Sequence, residues 1–293
     1  MATAEPAAPA VPGASPEALL RALAAELAAG ELRLPSFPDV AQRVQQSLED
    51  PRTTPAQVAR VVGADAALAA RILRLSNSAF LNPSGKPITA LNQAVHRLGH
   101  QLVRCSAVSF ALQQMQSGKL DAELRGQLKE LWRQGTLVAS IAYVLARETR
   151  AGNPDEALVA GLLHNIGILY ITVRMHERGD RLPPADGQGS AVGEWHPRIA
   201  SAILAHWKFA PVIIAAVAKQ SAVADPAARS DRLSDVLAAA IALVPCVFYR
   251  ALLDETVTAV APFRRLGLGA ADCQKLLAAT AEQIKALHSA LNG

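Results

Sequence analysis

A chain of 293 residues, 51% of them hydrophobic, is long enough to bury a sizeable core as one large domain or two small ones. Aromatics supply only 4%, so the apolar mass is chiefly Ala, Leu and Val, which favours packed helices over sheets. A net charge of +4 is low for a protein that grips a nucleic-acid duplex, and three scattered cysteines (Cys105, Cys246, Cys273) without a Cys-x-x-Cys pair exclude a disulfide framework and a zinc ribbon.

Met1 to about Gly13 is rich in Ala and Pro and has neither a basic n-region nor an apolar h-region. It reads as a disordered leader, not a signal peptide. Helices are predicted over Pro16–Ala29, with Ser15 as N-cap, and over Asp39–Glu49. Asp50-Pro51 closes the second, because the residue before proline is pushed out of helical space. Thr54-Pro55-Ala56-Gln57 combines a capping box with Pro at the first helical position. That helix buries Val58, Val61 and Val62 and stops at Gly63. Asp65 caps the next, with Leu68, Ile72 and Leu75 on one side, and Ser76, Asn77 and Ser78 are read as satisfying its end. After the loop Asn82–Pro87, Thr89 is predicted to cap a helix with Leu91, Val95 and Leu98 inward, stopped by Gly99. Another runs from about Gln101 to Gln116. No stretch alternates apolar and polar residues, so no sheet is predicted.

The helices around Gly63 have the length and turn of a DNA-binding helix-turn-helix, with Arg71 and Arg74 as its would-be readers. Base readout comes from the start of the second helix, and there Ala66, Ala67, Ala69 and Ala70 offer no hydrogen bonds. The pair is read as part of a bundle, and DNA is not expected as a partner. His96 and His100 have a zinc-like spacing, but Gly99 between them breaks the shared face.

Ala157–Tyr170 is nearly all apolar yet carries His164 and Asn165 side by side. Its character predicts one buried helix, and a buried polar pair must be hydrogen-bonded, ligated or catalytic. The segment Arg178–Glu194 is rich in Gly, Pro and Asp and reads as a mobile loop. Arg178, Asp180, Arg181, Asp186 and Glu194 would be its interaction residues. Gly187-Gln188-Gly189 within it follows no strand and lacks the Gly-Lys-Ser/Thr ending of a phosphate loop. His196, followed by Pro197, is placed at a helix start as a capping or hydrogen-bonding residue. Val236–Tyr249 reads as a buried helix. It is the most membrane-like segment, but its roughly 14 uncharged residues fall short of the 20 a span needs. Ala261–Gly269 reads as a connection. A last helix, Ala270–Leu291, repeats Leu277, Ile284 and Leu291 seven apart, to seal the core or meet a partner helix. No membrane partner is expected, and the cysteines suit a reducing cytoplasm.

Leu162-Leu163-His164-Asn165-Ile166-Gly167 resembles the signature helix of the HD phosphohydrolases, Leu-Leu-His-Asp-Ile-Gly, with Asn165 in place of Asp. The resemblance becomes specific in an ordered set. Leu34-Pro35-Ser36-Phe37-Pro38 comes first, then Asp65–Phe80, Ile88–Gly99, Leu131-Trp132, the His164-Asn165 segment, His196, and Trp207-Lys208-Phe209-Ala210-Pro211. Together these are similar to the HDOD domain, the HD-related output domain of bacterial signalling proteins, over about residues 31–225. The resemblance implies an all-α, multi-helix bundle: an HD-superfamily-like core with an N-terminal helical subdomain. The expected divisions are a leader and first helix over 1–30, and the domain itself over 31–225. The domain splits near 118 into an N-terminal helical part and a degenerate HD-like part. Helices over 226–293 pack on it or extend it.

The family implies a regulatory role, often tied to cyclic diguanylate signalling, and no known catalytic activity. HD hydrolases hold metal with His, a His-Asp pair and a further Asp, whose anionic oxygens balance the metal's charge. Against that pattern this chain has Gln134 where the first His would follow Trp132, Asn165 in the pair, and Lys219-Gln220 where paired histidines would stand. His164 and His196 remain, and two imidazoles make a poor metal site. The expectation is a non-catalytic module, with no cofactor or metal, that works through protein partners in a signalling pathway. The alternatives are a receptor holding a nucleotide second messenger in the vacated cavity, or a weak metal-dependent HD phosphohydrolase.

Overall fold

Local chemistry sets most of the helix starts. Thr54 is extended (φ −81°, ψ 155°), its hydroxyl accepts from the Gln57 amide, and Gln57 Oε1 accepts from the Thr54 amide at 2.7 Å. This reciprocal box opens α3 (Pro55–Val62). Asp65 accepts from the amides of Ala67 and Leu68, both at 2.9 Å, and opens α4 (Ala66–Ser76). Asp121, Asn153 and Asp231 do the same for α6 (Ala122–Thr149), α7 (Pro154–Leu163) and α11 (Arg232–Phe248).

The computed structural model describes residues 16–30, 39–50, 52–78, 81–116, 121–178, 191–221, 230–279, 281–282 and 284–286. Every regular element among them is helical, as the sequence leads one to expect. The remaining helices are α1 (Pro16–Ala29), α2 (Asp39–Glu49), α5 (Leu91–Gln116), α8 (Ile166–Glu177), α9 (Ala191–His206) and α10 (Pro211–Lys219). After α11 come a 3-10 turn (Arg250–Leu252), α12 (Leu253–Ala259), α13 (Ala261–Leu266) and α14 (Ala270–Ala279). Helices α2 to α5 pack on one another, and α5 also meets α7. Helices α6, α7, α10 and α11 form the centre, with α8 and α9 paired beside them. Helix α1 lies on α8 and α9. Its Leu19 and Leu23 are buried there, and Glu26 pairs with Arg174 of α8 at 3.4 Å. Helix α13 is tied to α11 by Arg265–Asp235 at 2.8 Å.

Several expectations shift in three dimensions. Helix α5 begins at Leu91, so Thr89 does not cap it. At Gly99 the chain does break, with φ 69° and ψ 171°, and the helical path then resumes in a new direction to Gln116. His96 and His100 therefore share no face, and both are exposed. Ser76, Asn77 and Ser78 close α4 as expected. Asn77 also bridges to Ile88, donating to its carbonyl and accepting from its amide at 2.7 Å each. Ala261–Leu266 is not a mere connection but helix α13, whose Phe263 is fully buried. In the last helix Leu277 and Ile284 face the interior, while Leu287 and Leu291 lie outside the described residues, as do Ser15 and the Ala/Pro-rich leader.

Among the described residues the stretch long and apolar enough to cross a membrane is Pro154–Glu177, not Val236–Tyr249, and 72% of its most apolar window is buried within the fold. Helix α11 is buried over most of its length but ends differently from expectation. Phe248 and Tyr249 are 57% and 68% exposed.

Candidate functional site

The His164-Asn165 segment is two helices and not one. Helix α7 stops at His164, and Asn165, with φ −89° and ψ 4°, starts α8. Two glycines flanking the break let neighbouring backbones close on it. A Cβ at Gly161 would stand 2.7 Å from the Ala139 nitrogen on α6. One at Gly167 would stand 2.8 Å from the His196 carbonyl carbon and 3.1 Å from the Ala200 nitrogen on α9. No other side chain fits either position without moving backbone.

His164 is only 4% exposed. Its Nδ1 lies 2.7 Å from the Gly161 carbonyl, and since a carbonyl can only accept, Nδ1 carries the proton and donates. Burial pushes its pKa down to about 4, partly opposed by that hydrogen bond, so the ring is neutral at physiological pH. His196 is also buried and neutral, with its pKa lowered to about 4 by burial and then by the charge His164 would carry. The structure thus brings the two imidazoles together. It does not make His196 a cap: α9 begins at Ala191, so His196-Pro197 lies in its second turn, and Nδ1 has no hydrogen-bond partner among the described residues. Asn165 is half-buried, and its side chain makes no capping bond, so the expectation of a fully paired polar couple holds for His164 alone.

The other positions of the former ligand set turn elsewhere. Gln134 is exposed on α6 and donates to Glu130 at 3.1 Å; the same carboxylate accepts from Nε and Nη2 of Arg133, each at 2.7 Å. Lys219 pairs with Asp231 at 3.2 Å. Gln220 reaches back to the break and donates Nε2 to the His164 carbonyl at 3.1 Å and to the Val217 carbonyl at 3.0 Å. The chemistry available around His164 is therefore one further neutral imidazole and amides. Such a set lacks the anionic oxygens that hold and bridge catalytic divalent ions, and it does not fit them. Among the described residues no three His, Cys, Asp or Glu side chains converge in metal-binding geometry.

Of the predicted interaction residues, Asp180, Arg181 and Asp186 lie outside the described residues, as does Gly187-Gln188-Gly189. Arg178 is exposed at the end of α8. Glu194 is exposed too, but in the first turn of α9 instead of a loop, since that helix starts six residues before Pro197.

Two buried cations escape sequence reasoning. Arg71 is 6% exposed and sits over the Trp132 ring at 5.7 Å, so it cannot read bases, which removes the helix-turn-helix alternative from that side. Arg104, equally buried, donates to the Lys208 carbonyl and covers Phe209 at 5.7 Å. It thereby joins α5 to the turn between α9 and α10. No helical periodicity flags an interior arginine; only its neighbours in space do.

A second region also went unread. A cleft of about 290 Å³ lies between α6, the end of α11 and the last helix, lined by Leu137, Phe248, Leu277 and Ile284 among others.

Comparison with known proteins places this geometry. The fold matches the crystal structure of a Shewanella amazonensis SB2B protein provisionally named a metal-dependent phosphohydrolase. The TM-score is 0.71 at 26% identity, over 94% of this chain and 99% of that one. It also matches an HDOD domain protein of unknown function from Geobacter sulfurreducens (TM-score 0.61, 24% identity, 94% and 98% covered). A protein from Marinobacter aquaeolei VT8, provisionally named for signal transduction, shares the fold as well (TM-score 0.57, 22% identity, 94% and 66% covered). No curated protein sequence matches the chain. Residues 34–223, which hold the Thr54 and Asp65 caps, the broken His164-Asn165 segment and the Gln220 contact, match the HDOD domain, and the chain belongs to the HDOD domain family.

Proposed function

We propose that this protein is a non-catalytic signalling module of the cytoplasm, which keeps the frame of a phosphohydrolase core and works through contacts with protein partners. The observation that carries the reading is the fate of the old ligand positions. His164 is tied to Gly161, Gln220 holds the His164 backbone, Lys219 is paired with Asp231, and Gln134 faces solvent beside Glu130. Residues engaged in this way stabilise the packing of α7, α8 and α10, and none supplies an anionic ligand. Membership of the HDOD family supports a signalling role, and the proposal extends it to bacterial pathways linked to cyclic diguanylate. The exposed residues flanking positions 179–190 are candidate contacts.

The test is an assay of wild type and Asn165→Asp against phosphodiester, phosphomonoester and nucleoside triphosphate substrates with Mn²⁺ or Mg²⁺. Neither protein should turn over. A single restored carboxylate still leaves Gln134 and Lys219-Gln220, short of the three or four ligands a catalytic metal requires. Metal-dependent turnover by wild type would overturn the scaffold reading, and turnover in Asn165→Asp alone would show that more of the old site survives.

A further inference from the structure

Phe248, Tyr249 and Leu252 are exposed by 57%, 68% and 39%, whereas the large apolar side chains among the described residues are otherwise buried with few exceptions. They follow one another through the turn from α11 into the 3-10 segment, where the Tyr249 carbonyl accepts from the Leu252 amide at 3.0 Å. Phe248 also forms one wall of the 290 Å³ cleft, whose other apolar walls are Leu137, Leu277 and Ile284. The apolar surface therefore runs from a recess out onto a ridge. That shape suits an elongated segment with one side chain anchored in the recess more than a compact small molecule.

The charged side chains that line the recess are all cations. Arg133, Arg250 and Lys285 line it, with no carboxylate among its lining residues. Arg133 is paired with Glu130, but Arg250 and Lys285 have no ion pair among the described residues. Aromatics and arginine around a recess are the composition of an interface core, and unanswered cations at its rim select a partner of opposite charge.

We propose that this cleft is a docking site for an amphipathic helix of another protein, one that places an apolar residue beside Phe248 and carboxylates against Arg250 and Lys285. The proposal rests on the reading of the module as an interaction protein and names one of its surfaces.

The experiment measures fluorescence anisotropy of the full chain with two labelled amphipathic helices of about 18 residues. They share one leucine face, opposed by glutamates in one peptide and by lysines in the other. The glutamate peptide should bind, more weakly as salt is raised, and the lysine peptide should not. Phe248→Asp should weaken the glutamate peptide at least ~10-fold. Arg250→Glu with Lys285→Glu should reverse the preference. All three positions are exposed or at the rim, and circular dichroism on each variant confirms the fold. Equal binding of both peptides, no binding of either, or affinity indifferent to the variants would overturn the proposal. So would capture by phosphatidylglycerol vesicles with the same variant dependence, or a self-association abolished by Phe248→Asp. The phosphatase assay above is independent: turnover there ends the scaffold reading, whereas loss of charge selectivity here ends only the docking site.

Discussion

The break at His164-Asn165 and the cleft at Phe248 are built on opposite terms. Around the break, backbones meet: Gly161 lies against Ala139, Gly167 against His196, and a buried carbonyl is held by the Gln220 amide. Around the cleft, aromatic surface is left in water beside Arg250 and Lys285, which have no ion pair among the described residues. The first arrangement tolerates almost no change of volume, while the second tolerates many. A core with no carboxylate beside His164 to organise it keeps its shape through such packing. Surface that contributes nothing to stability is free to serve recognition.

The sharpest way to break the contrast is Gly167→Ala. The added methyl meets the backbone of α9, which cannot turn away as a side chain would, so the variant should lose at least about 4 kcal/mol or fail to fold. Gly126→Ala, on an open face of α6, should instead stabilise by about 0.5–1 kcal/mol. Urea denaturation of the pair measures both.

Acid offers the next largest effect. His164 and His196 have pKa values of about 4 in the folded protein and near 6.5 when unfolded, so between those values the unfolded chain binds more protons. Their contribution to stability is fully present above about pH 6.5, is lost as pH falls towards 4, and levels off below. One imidazole accounts for about 3 kcal/mol of that loss. The second adds a comparable loss, because burial and the charge on His164 both oppose its protonation in the folded protein. Stability curves for wild type and His196→Gln over pH 4–7 should differ in slope, and parallel curves would show that the rings are not buried together.

Gln220→Leu keeps the volume but withdraws the donor from the His164 carbonyl, and should cost about 1–2 kcal/mol. At the small end, Phe248→Ser should change stability by less than about 0.5 kcal/mol, since the ring is more than half exposed. A larger loss would mean that the cleft is part of the core after all, and the two regions would no longer differ in kind.

Much of the fold is legible along the chain because its signals are local. A capping box at Thr54, an aspartate at residue 65 and a proline at the first helical position each act within one turn, so their reading needs no tertiary knowledge. The loss of the acidic ligand at Asn165 and the substitution at Lys219-Gln220 are visible for the same reason: residue identity alone decides whether a carboxylate is present.

What the chain cannot announce is anything that depends on a distant neighbour. The apolar run Ala157–Tyr170 has the periodicity of one helix, and it breaks at His164 because the backbones of α6 and α9 close on either side, with Gln220 holding the carbonyl there. Arg71 and Arg104 look like surface cations until Trp132 and Phe209 come to lie beneath them. Phe248 and Tyr249 read as core because α11 is apolar to its end, yet they stand 57% and 68% exposed at the mouth of the cleft. Identity and capping are one-dimensional properties, whereas burial is a property of what packs alongside, and only the tertiary structure decides it.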